Sequence, residues 1–397
     1  MRCGKQGSGI IASHSKKLRY GNLSRGDMQP FETGSLASGG DKRRKLACGL
    51  VCDHKLAIPA GALAARIARL WNVDVHIFVE RPAYASAPIM ETTAPGVTYH
   101  YEELFVGDLE NLLPDHPRFS RAAWGRLFLP KALPGYDRIL YCDIDVLPGP
   151  LPDGIETIDL PDGIGMVRDY YGPAFMPVAR DKDVRWTQFG LNPESYFNSG
   201  ALLINPNQWD GDKILSALKV FMAGELAAAP FLDQDFLNLH FDGKIVELSP
   251  NLNFQQSLMD LGLEGANTPT IRHLCHGIKH YHQLPRYSVS EITRNASAEF
   301  REMVVDAGLP LPNLLPYENR KSTTQVKAAL RGVIAKTGLK TPKAVRMETR
   351  WRERRRRALD YLRAGVAEGR FADPNVFDLN PPEPRVRFNG YEILPVE

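Results

Sequence analysis

The stretch RILYCDIDVLP, from Arg138 to Pro148, decides the fold class that this chain is expected to adopt. Its first half is apolar and rich in β-branched and aromatic residues, as in a strand that is buried on both faces. Two acids, Asp143 and Asp145, follow with one apolar residue between them. Ligands of open α/β sheets bind beyond the carboxyl ends of the strands, so the two acids predict a site at that edge of a sheet.

The spacing of the two acids favours a shared metal ion, although a plainer interpretation stays open. Residues two apart in a strand point in the same direction, so Asp143 and Asp145 are able to reach one hard cation together. Acids also follow strands simply to cap the next helix or to begin a turn. The pair alone does not separate these alternatives, and the rest of the chain has to decide between them.

The length and composition indicate a globular protein with room for an appendage. The chain has 397 residues, of which 43% are hydrophobic and 24% are charged. It contains no apolar run of about 18 residues, so no membrane-spanning helix is expected, and the apolar segment near the N-terminus is too short for a secretory signal. The cysteines are few, odd in number and without zinc-type pairing, which predicts reduced, buried thiols in a cytoplasmic protein at Cys3, Cys48, Cys52, Cys142 and Cys275.

The positive charge of the chain is concentrated near its C-terminus. Residues 320–370 contain sixteen Lys and Arg against four Asp and Glu, so this segment carries +12 and leaves −9 for the rest of a chain whose net charge is +3. Such a segment predicts an anionic partner surface for the tail and not for the body. Nucleic acid is not expected as that partner, because no recognised binding motif accompanies the charge.

Two short helices in this basic segment are predicted to be amphipathic. The apolar residues of the first lie on one face between Val326 and Ile334, and those of the second run from Trp351 to Leu362 beside four consecutive arginines. Segments of this kind suit the surface of an anionic membrane. We therefore expect the protein to bind peripherally to the inner face of a membrane. Alternatively, they pack against the body of the protein or are simply solvated.

The order of apolar runs predicts an α/β fold whose sheet begins parallel. Residues 1–45 are rich in Gly, Ser and Lys without periodicity and are expected to be disordered, residues 46–285 to form the α/β domain, and residues 286–397 to form a basic, partly helical region. Strands are predicted over Leu46–Asp53, Val73–Val79, Val97–Leu104, Ile139–Asp143, Gly163–Val167, Tyr196–Asn205 and Lys244–Leu248. Helices are predicted over Ile58–Leu70, Ser120–Leu133, Lys213–Ala223 and Asp233–Phe241.

Several motifs follow these strands in an order that resembles glycosyltransferase family 8. The DID motif is followed by FNSG at 197–200, DQD at 233–235 and HLCHGIK at 273–279. The resemblance extends over Leu46 to Tyr281 and rests on the order of the motifs. That family contains retaining sugar-nucleotide enzymes, among them bacterial lipopolysaccharide galactosyltransferases and glycogenin. The resemblance implies a GT-A fold, in which a Rossmann-like mixed sheet is flanked by helices.

The resemblance also implies a divalent metal site. Asp143 and Asp145 match the acids of the family's DxD motif, and His273 matches the histidine that completes the protein ligands. Two carboxylates and an imidazole suit Mn²⁺, with Mg²⁺ as the alternative ion. Lys279 matches the lysine that contacts the diphosphate of the donor, which the metal would bridge.

Further residues are matched to the two sugar substrates. Asp233 and Gln234 match the acid and the amide beside the transferred sugar and are the candidate catalytic residues, and Asp169 is expected near the acceptor. The acid at the end of the first strand is expected to accept a hydrogen bond from the uracil ring. The donor-binding residues that the resemblance implies are Asp53, Arg126, Asn198, Gly200, Gly277 and Lys279.

The chain departs from the family pattern in two places. His276 stands where the family usually has a glycine, Gly277 follows it, and the sequence KHY at 279–281 replaces Lys-Pro-Trp, so the diphosphate loop is expected to have a different shape. After the first strand, Lys55 and Leu56 replace the family's Asn and Tyr. This second departure leaves the preference for uracil open.

These features predict a cytoplasmic enzyme that moves a hexose, galactose or glucose, from a UDP-sugar to a hydroxyl of a glycan or lipopolysaccharide-type acceptor, with retention at the anomeric carbon. Retaining glycosidases use a carboxylate nucleophile. Here the candidate is Gln234, which is a poor nucleophile, or Asp233, and we expect front-face attack within a short-lived ion pair, with the metal and Lys279 stabilising the leaving diphosphate. Three alternatives stay open: a sugar nucleotidyltransferase, a non-catalytic nucleotide-sugar-binding protein on the same fold, and a membrane-surface scaffold in which the tail dominates.

Overall fold

The fold is taken from a computed structural model of the chain. It describes residues 45–80, 89–102, 104–105, 109, 112–113, 120–172, 174–175, 189–224, 231–265, 267–284, 289–311, 330, 341–373, 378–388 and 391–394. The N-terminal extension that was expected to be disordered lies outside these residues, apart from Lys45. The first of the two amphipathic segments also lies outside them, apart from Leu330.

Within the described residues, most strands belong to one mixed sheet of seven strands. The strands are β1 Leu46–Asp53, β2 Asp74–Glu80, β3 Val97–Tyr101, β4 Arg138–Cys142, β5 Val146–Pro148, β6 Ile164–Arg168, β7 Phe197–Ile204, β8 Val246–Leu248, β9 Phe254–Gln255, β10 Ile271–His273, β11 Val386–Phe388 and β12 Tyr391–Ile393. The order in the large sheet is β3-β2-β1-β4-β7-β6-β8. Strand β1 pairs in parallel with β2 and β4, whereas β7 is antiparallel to β4 and β6. The sheet therefore begins parallel, as the sequence predicts, and becomes mixed beyond β4.

Strand β4 lies at the centre of the sheet, and all five of its residues are buried. Its side chains alternate between two hydrophobic clusters, because successive residues of a strand point to opposite faces. Leu140 and Cys142 belong to the cluster on one face, and Ile139 and Tyr141 pack in the cluster on the other. A strand buried on both faces explains the continuous apolar run in the sequence, and the acids come directly after it.

A second, small sheet brings a distant part of the chain to the end of β4. Strand β10 is antiparallel to β5 and parallel to β9, with His273 opposite Val146 and next to Gln255 in register. The main-chain N–H of Leu274 donates to the carbonyl oxygen of Asp145 at 2.9 Å. This pairing places His273 beside the two acids, although about 130 residues separate them in sequence.

Helices cover the sheet on both faces. They are α1 Ala57–Trp71, α2 Leu129–Ala132, α3 Gly211–Ala223, α4 Leu232–His240, α5 Gln256–Met259, α6 Glu291–Asp306 and α7 Pro342–Ala367. Helices α1, α6 and α7 contribute to one hydrophobic cluster, and α3 and α4 contribute to the other. None of the helices in the described part of the chain combines the length and the apolar character needed to cross a membrane.

The predicted helix over Ser120–Leu133 is wrong in type. The chain forms a 3₁₀-helix over Arg121–Leu127, followed by the four-residue α2. A Cβ on Gly125 would lie 2.5 Å from Cγ1 of Val51, so the glycine allows this segment to lie directly on β1. Glycine and the proline at position 130 both disfavour a continuous α-helix, which accounts for the difference.

The cysteines of the described residues are free thiols. Cys48, Cys52 and Cys142 are buried within the sheet, and Cys275 is partly buried. The prediction of reduced, buried thiols is thus confirmed for the first three. Cys3 lies outside the described residues.

Helix α7 packs its apolar side against the body of the protein. Trp351, Ala358 and Leu362 are fully buried, and the indole N–H of Trp351 donates to the carbonyl oxygen of Asp260 at 2.7 Å. The second amphipathic segment therefore takes the alternative in which it packs on the body. Any contact of α7 with a membrane would have to use its polar side.

Replacing Trp351 with Ala should lower the free energy of unfolding by about 3–5 kcal/mol, since the change removes a fully buried aromatic side chain and leaves a cavity. Urea denaturation followed by circular dichroism measures this loss. The matched control is Val366→Ala in the same helix, where the side chain is 47% exposed and the loss should stay within about 0.5 kcal/mol. Equal stability of the two variants would contradict the packing of α7.

Candidate active site

Three donor side chains converge at the carboxyl end of β4. Oxygen atoms of Asp143 and Asp145 and a ring nitrogen of His273 all lie within 4.8 Å of one another. The Nε2 atom of His273 is 3.1 Å from Oδ1 of Asp145 and 3.8 Å from Oδ2 of Asp143. The main-chain N–H of Asp143 donates to the carbonyl oxygen of Gly200 at 2.8 Å, which fixes the start of this turn on the neighbouring strand.

The three side chains fit a divalent metal ion by their chemistry and arrangement. The Nδ1 atom of His273 is 2.9 Å from Oδ1 of Asn253, which leaves Nε2 facing the carboxylates. A metal-binding histidine usually has its second ring nitrogen held in this way. Two carboxylates with one imidazole form a donor set that suits a divalent cation.

Lys279 lies on the other side of Asp145. Its ammonium group donates to Oδ2 of Asp145 and, at 2.9 Å, to the carbonyl oxygen of Leu274. Burial by itself would raise the pKa of Asp145, but the charges of Lys279 and His273 outweigh it and hold that pKa well below its usual range. Asp145 therefore stays ionised at any physiological pH and is available as a ligand.

The loop between His273 and Lys279 contains a residue with positive φ. Gly277 has φ of +55°, in the left-handed region that favours glycine, and a Cβ there would meet nothing within 4 Å. The loop thus turns at Gly277 and not at His276, which stands at the family's usual glycine position. His276 instead lies against the ring of Tyr171, with ring centroids 4.4 Å apart.

Arg126 joins two of the acids in the interior. Its guanidinium lies 3.0 Å from Asp143 and 3.3 Å from Asp233, and it also donates to the carbonyl oxygen of Ser199. The side chain of Arg126 is only 5% exposed, so its ion pairs lie in the interior and not on the surface. Burial would lower the pKa of Arg126, but Asp143 and Asp233 more than offset this and raise it. The ring of Tyr141 lies 4.5 Å from the guanidinium carbon.

Asp233 is an acid of the site whose pKa is raised by its surroundings. Burial raises its pKa to about 6, although Arg126 lowers it, and the neighbouring charge of Asp143 adds to the rise. The hydroxyl of Ser199 donates to Oδ2 of Asp233 at 3.1 Å. A carboxyl pKa raised in this way is typical of residues at functional sites.

The side chains assigned to the sugars form one hydrogen-bonded group. The Oε1 atom of Gln234 accepts from Nδ2 of Asn198 at 3.2 Å and from the main-chain N–H of Ser199 at 3.1 Å. The Nε2 atom of Gln234 donates to Oδ2 of Asp169 at 2.9 Å. The residues that the sequence assigned to the transferred sugar and to the acceptor are therefore in direct contact.

Gly200 is required by the position of His273. A Cβ at residue 200 would lie 2.0 Å from Cε1 of His273 and 2.5 Å from its Nδ1. The family resemblance assigns Gly200 to donor binding. The structure gives an additional reason, because only glycine leaves room for the imidazole of the third candidate ligand.

Asp53 ends β1 at the same edge of the sheet. Its Oδ1 atom accepts from the main-chain N–H groups of Lys55 and Leu56 at 3.0 and 3.2 Å, so it caps a short 3₁₀-helix. Because β1 is parallel to β4, Asp53 and Asp143 lie at the carboxyl ends of neighbouring strands. The Oδ1 atom of Asp53 already serves a structural role as this cap.

Comparison with known proteins now decides the family. The family model described as glycosyl transferase family 8 matches residues 62–296, which is more than half of the chain. The chain belongs to glycosyltransferase family 8. The prediction made from the order of the motifs is thus confirmed.

Similar proteins agree with this assignment over part of the chain. An inferred glycosyltransferase of Haemophilus influenzae is 28% identical over 156 residues. These residues are 39% of this chain and 45% of that protein. Galactinol synthase 2 of Solanum lycopersicum is 32% identical over 120 residues, 27% of this chain and 33% of the synthase. The matched part spans less than half the length of each of these curated relatives.

A solved structure shows the fold. The galactosyltransferase LgtC, in complex with donor and acceptor sugar analogs, superposes with a TM-score of 0.51 over 67% of this chain and 98% of LgtC, at 20% identity. At this identity the likeness is one of fold. The mixed seven-stranded sheet flanked by helices is a GT-A fold, as the resemblance implied.

Two contacts in this family 8 site were not assigned from the sequence. The hydroxyl of Tyr141 donates to Oδ1 of Asp143 at 2.5 Å, and Asn253 contacts His273. Tyr141 stands two residues before Asp143, so the period of the strand was a signal that both side chains point the same way. Asn253 lies in a turn of the sequence PNLN, which gives no such signal.

The Gly200→Ala variant should lose Mn²⁺ affinity by about 10-fold to 100-fold, because the added methyl group displaces His273 from the acids. Electron paramagnetic resonance of free Mn²⁺ measures the binding directly. The control is Gly135→Ala, where a Cβ meets nothing within 4 Å and the affinity should not change. If Gly200→Ala folds and binds Mn²⁺ as the wild type does, His273 is not a ligand.

Proposed function

We propose that the protein is a metal-dependent retaining glycosyltransferase that moves a hexose from a UDP-sugar to a hydroxyl of a glycan or lipopolysaccharide-type acceptor. The observation that carries the proposal is the convergence of Asp143, Asp145 and His273 at the carboxyl edge of a family 8 domain. Galactose or glucose is proposed as the hexose. Two similar proteins, a galactosyltransferase and a galactinol synthase, support galactose.

The proposed cation is Mn²⁺, with Mg²⁺ as the alternative, held by the two acids and His273. A divalent cation bound there would neutralise the charge that develops on a departing diphosphate. Lys279 supplies a second positive charge at the same place, since its ammonium contacts Asp145 on the side away from His273. A diphosphate bound at this edge would compete with Asp145 for that ammonium.

The other polar residues suit the remainder of a nucleotide-sugar. Asp53 and Gly277 border the edge where the nucleotide would lie, and Asn198 lies with Gln234 on the sugar side. Arg126 would hold the donor indirectly, because it is buried between two acids and holds both carboxylates in place. Asp169, in contact with Gln234, is proposed to face the acceptor.

Retention at the anomeric carbon is proposed to occur by front-face attack. Both lone pairs of the Gln234 carbonyl oxygen are occupied by hydrogen bonds from Asn198 and Ser199. An amide oxygen in this state is a poor nucleophile. Asp233 is bound by Arg126 and Ser199, which lowers its nucleophilicity as well. A glycosyl adduct trapped on Asp233 and seen by mass spectrometry would contradict this mechanism.

The C-terminal region is proposed to be an appendage of the glycosyltransferase domain, with the boundary near residue 285. A cytoplasmic location at the inner face of a membrane remains our proposal for the protein. Because the apolar side of α7 is buried, contact with an anionic membrane would be electrostatic and would use the exposed Lys343, Arg346 and Arg350.

Binding and turnover test the proposed function together. A UDP-hexose with Mn²⁺ should raise the midpoint of thermal unfolding, as a ligand at 100 times its dissociation constant stabilises by about 2.7 kcal/mol. Turnover should release UDP. Asp143→Asn should reduce UDP release by about 100-fold or more, because it removes one of the charged ligands of the cation.

Matched controls make this test specific. The control variant Asp162→Asn changes an exposed acid just before β6, at the end of that strand away from Asp169, and should turn over like the wild type. Release of pyrophosphate in place of UDP would indicate a nucleotidyltransferase. Wild-type turnover by Asp143→Asn would show that the metal assignment is wrong.

The pH dependence of turnover should report on Asp233. Its pKa is raised to about 6, so the carboxylate form is present above that pH and the neutral form below it. If the carboxylate is needed beside the sugar, kcat should rise with pH and level off above about pH 6. The residual turnover of Asp233→Asn should lack this inflection. A variant that keeps the same pH profile would assign the inflection to another group.

A further inference from the structure

A chain of side-chain amides crosses the site from the metal ligands to the sugar side. Nδ1 of His273 contacts Oδ1 of Asn253 at 2.9 Å, and Nδ2 of Asn253 donates to Oδ1 of Asn198 at 2.8 Å. From Asn198 the hydrogen bonds continue to Gln234 and Asp169. Asn253 is fully buried at the end of a 3₁₀-helix. It is the one member of this hydrogen-bonded series of side chains to which no role has been assigned above.

The orientation of each amide is fixed by the main chain. The N–H of Gly200 donates to Oδ1 of Asn198 at 3.0 Å, and a main-chain N–H is able only to donate. Oδ1 of Asn198 is therefore the acceptor, and Asn253 has to present its NH₂ group to it. The oxygen of Asn253 must then face His273.

The orientation of Asn253 selects the tautomer of His273. An amide oxygen only accepts, so Nδ1 of the imidazole carries a proton, and Nε2 is the nitrogen that would supply its lone pair to a bound cation. Nε2 faces Asp143 and Asp145, where the candidate cation would bind. A flipped Asn253 would place NH₂ against Nδ1, move the proton to Nε2 and remove the nitrogen from the set of ligands.

The same side chain also supports the sugar side. With its oxygen held by Gly200 and Asn253, Asn198 directs its NH₂ group to Oε1 of Gln234. The main-chain N–H of Ser199 donates to the same oxygen, so Gln234 is held with its own NH₂ group toward Asp169. Every amide in the chain therefore donates in the same direction, away from His273.

We propose that Asn253 is a positioning residue that holds His273 in its metal-binding tautomer and links the metal site to the side chains beside the transferred sugar. It acts through His273 and Asn198 and has no contact with substrate of its own. The proposal rests on the proposed function in one respect, because it takes the three donor side chains to bind a divalent cation.

Two substitutions separate the two halves of this role. Asn253→Asp keeps the size of the side chain and an oxygen for the Nδ1–H of His273, but it has no hydrogen to donate to Asn198. We expect Mn²⁺ affinity within about threefold of wild type, since carboxylates also orient metal-binding histidines. We expect kcat to fall by about 10-fold to 100-fold, with the KM for the UDP-sugar changed less, because the groups beside the sugar are misplaced.

Asn253→Ala removes both hydrogen bonds. Mn²⁺ affinity, measured by electron paramagnetic resonance on the full chain without donor, should then fall by about 10-fold to 100-fold together with turnover. The matched control is Asn251→Ala, which removes another buried amide from the same 3₁₀-helix but none of the hydrogen bonds between His273 and Asp169 described above. That variant should keep both Mn²⁺ affinity and turnover, and thermal unfolding checks the fold of each protein.

Specific outcomes would overturn the proposal. Wild-type Mn²⁺ affinity in Asn253→Ala, or an equal loss in Asn251→Ala, would show that Asn253 does not hold His273. If Asn253→Ala does not fold, Asn253→Asp decides, and either no loss in kcat or a parallel loss of Mn²⁺ affinity and kcat would reject the link to Asn198. Failure of the proposed function is distinct, since the wild type itself would then bind no Mn²⁺ or release no UDP.

Discussion

The site depends on the compensation of buried negative charge. Three acids, the buried Asp145 and Asp233 and the partly buried Asp143, lie close together at the end of β4, and an unpaired buried charge costs several kcal/mol. Arg126 and Lys279 supply two positive charges, so these five groups retain one net negative charge. A divalent cation would reverse the sign and leave a positive site that suits a diphosphate. The fixed ion pairs thus hold the acids in place while leaving a net attraction for the metal.

The hydrogen bonds around these charges fix the orientation of the amide side chains in the site. Main-chain N–H groups of Ser199 and Gly200 come from β7 and fix the amide oxygens of Gln234 and Asn198. The main chain of β7 therefore fixes the orientation of His273 through side chains that are themselves buried. A network in which every group is satisfied is rigid, and a rigid network keeps catalytic groups in a productive arrangement before substrate binds.

The sequence predicts the strands that carry this site better than the contacts between its side chains. Continuous apolar runs place strands such as β1 and β4 within a residue of their observed bounds, because burial on both faces leaves a clear pattern. The grouping of His273 with the acids came from the order of motifs, since no local pattern encodes a contact across about 130 residues. Asn253 was missed because a polar residue in a turn has the same local signature with or without a long-range partner.

The C-terminal helix shows a second limit of sequence patterns. An apolar stripe on a helix predicts that another surface covers the stripe, but it does not identify that surface. The stripe of α7 packs against the body of the protein. Tyr361 of this helix accepts a hydrogen bond from Nε of Arg168 at 2.9 Å and donates to Glu247, so it connects α7 to β6 and β8. Asp169, which contacts Gln234, comes directly after Arg168. The basic region thus supports the proposed acceptor side of the site, and its change in composition does not mark a break in packing.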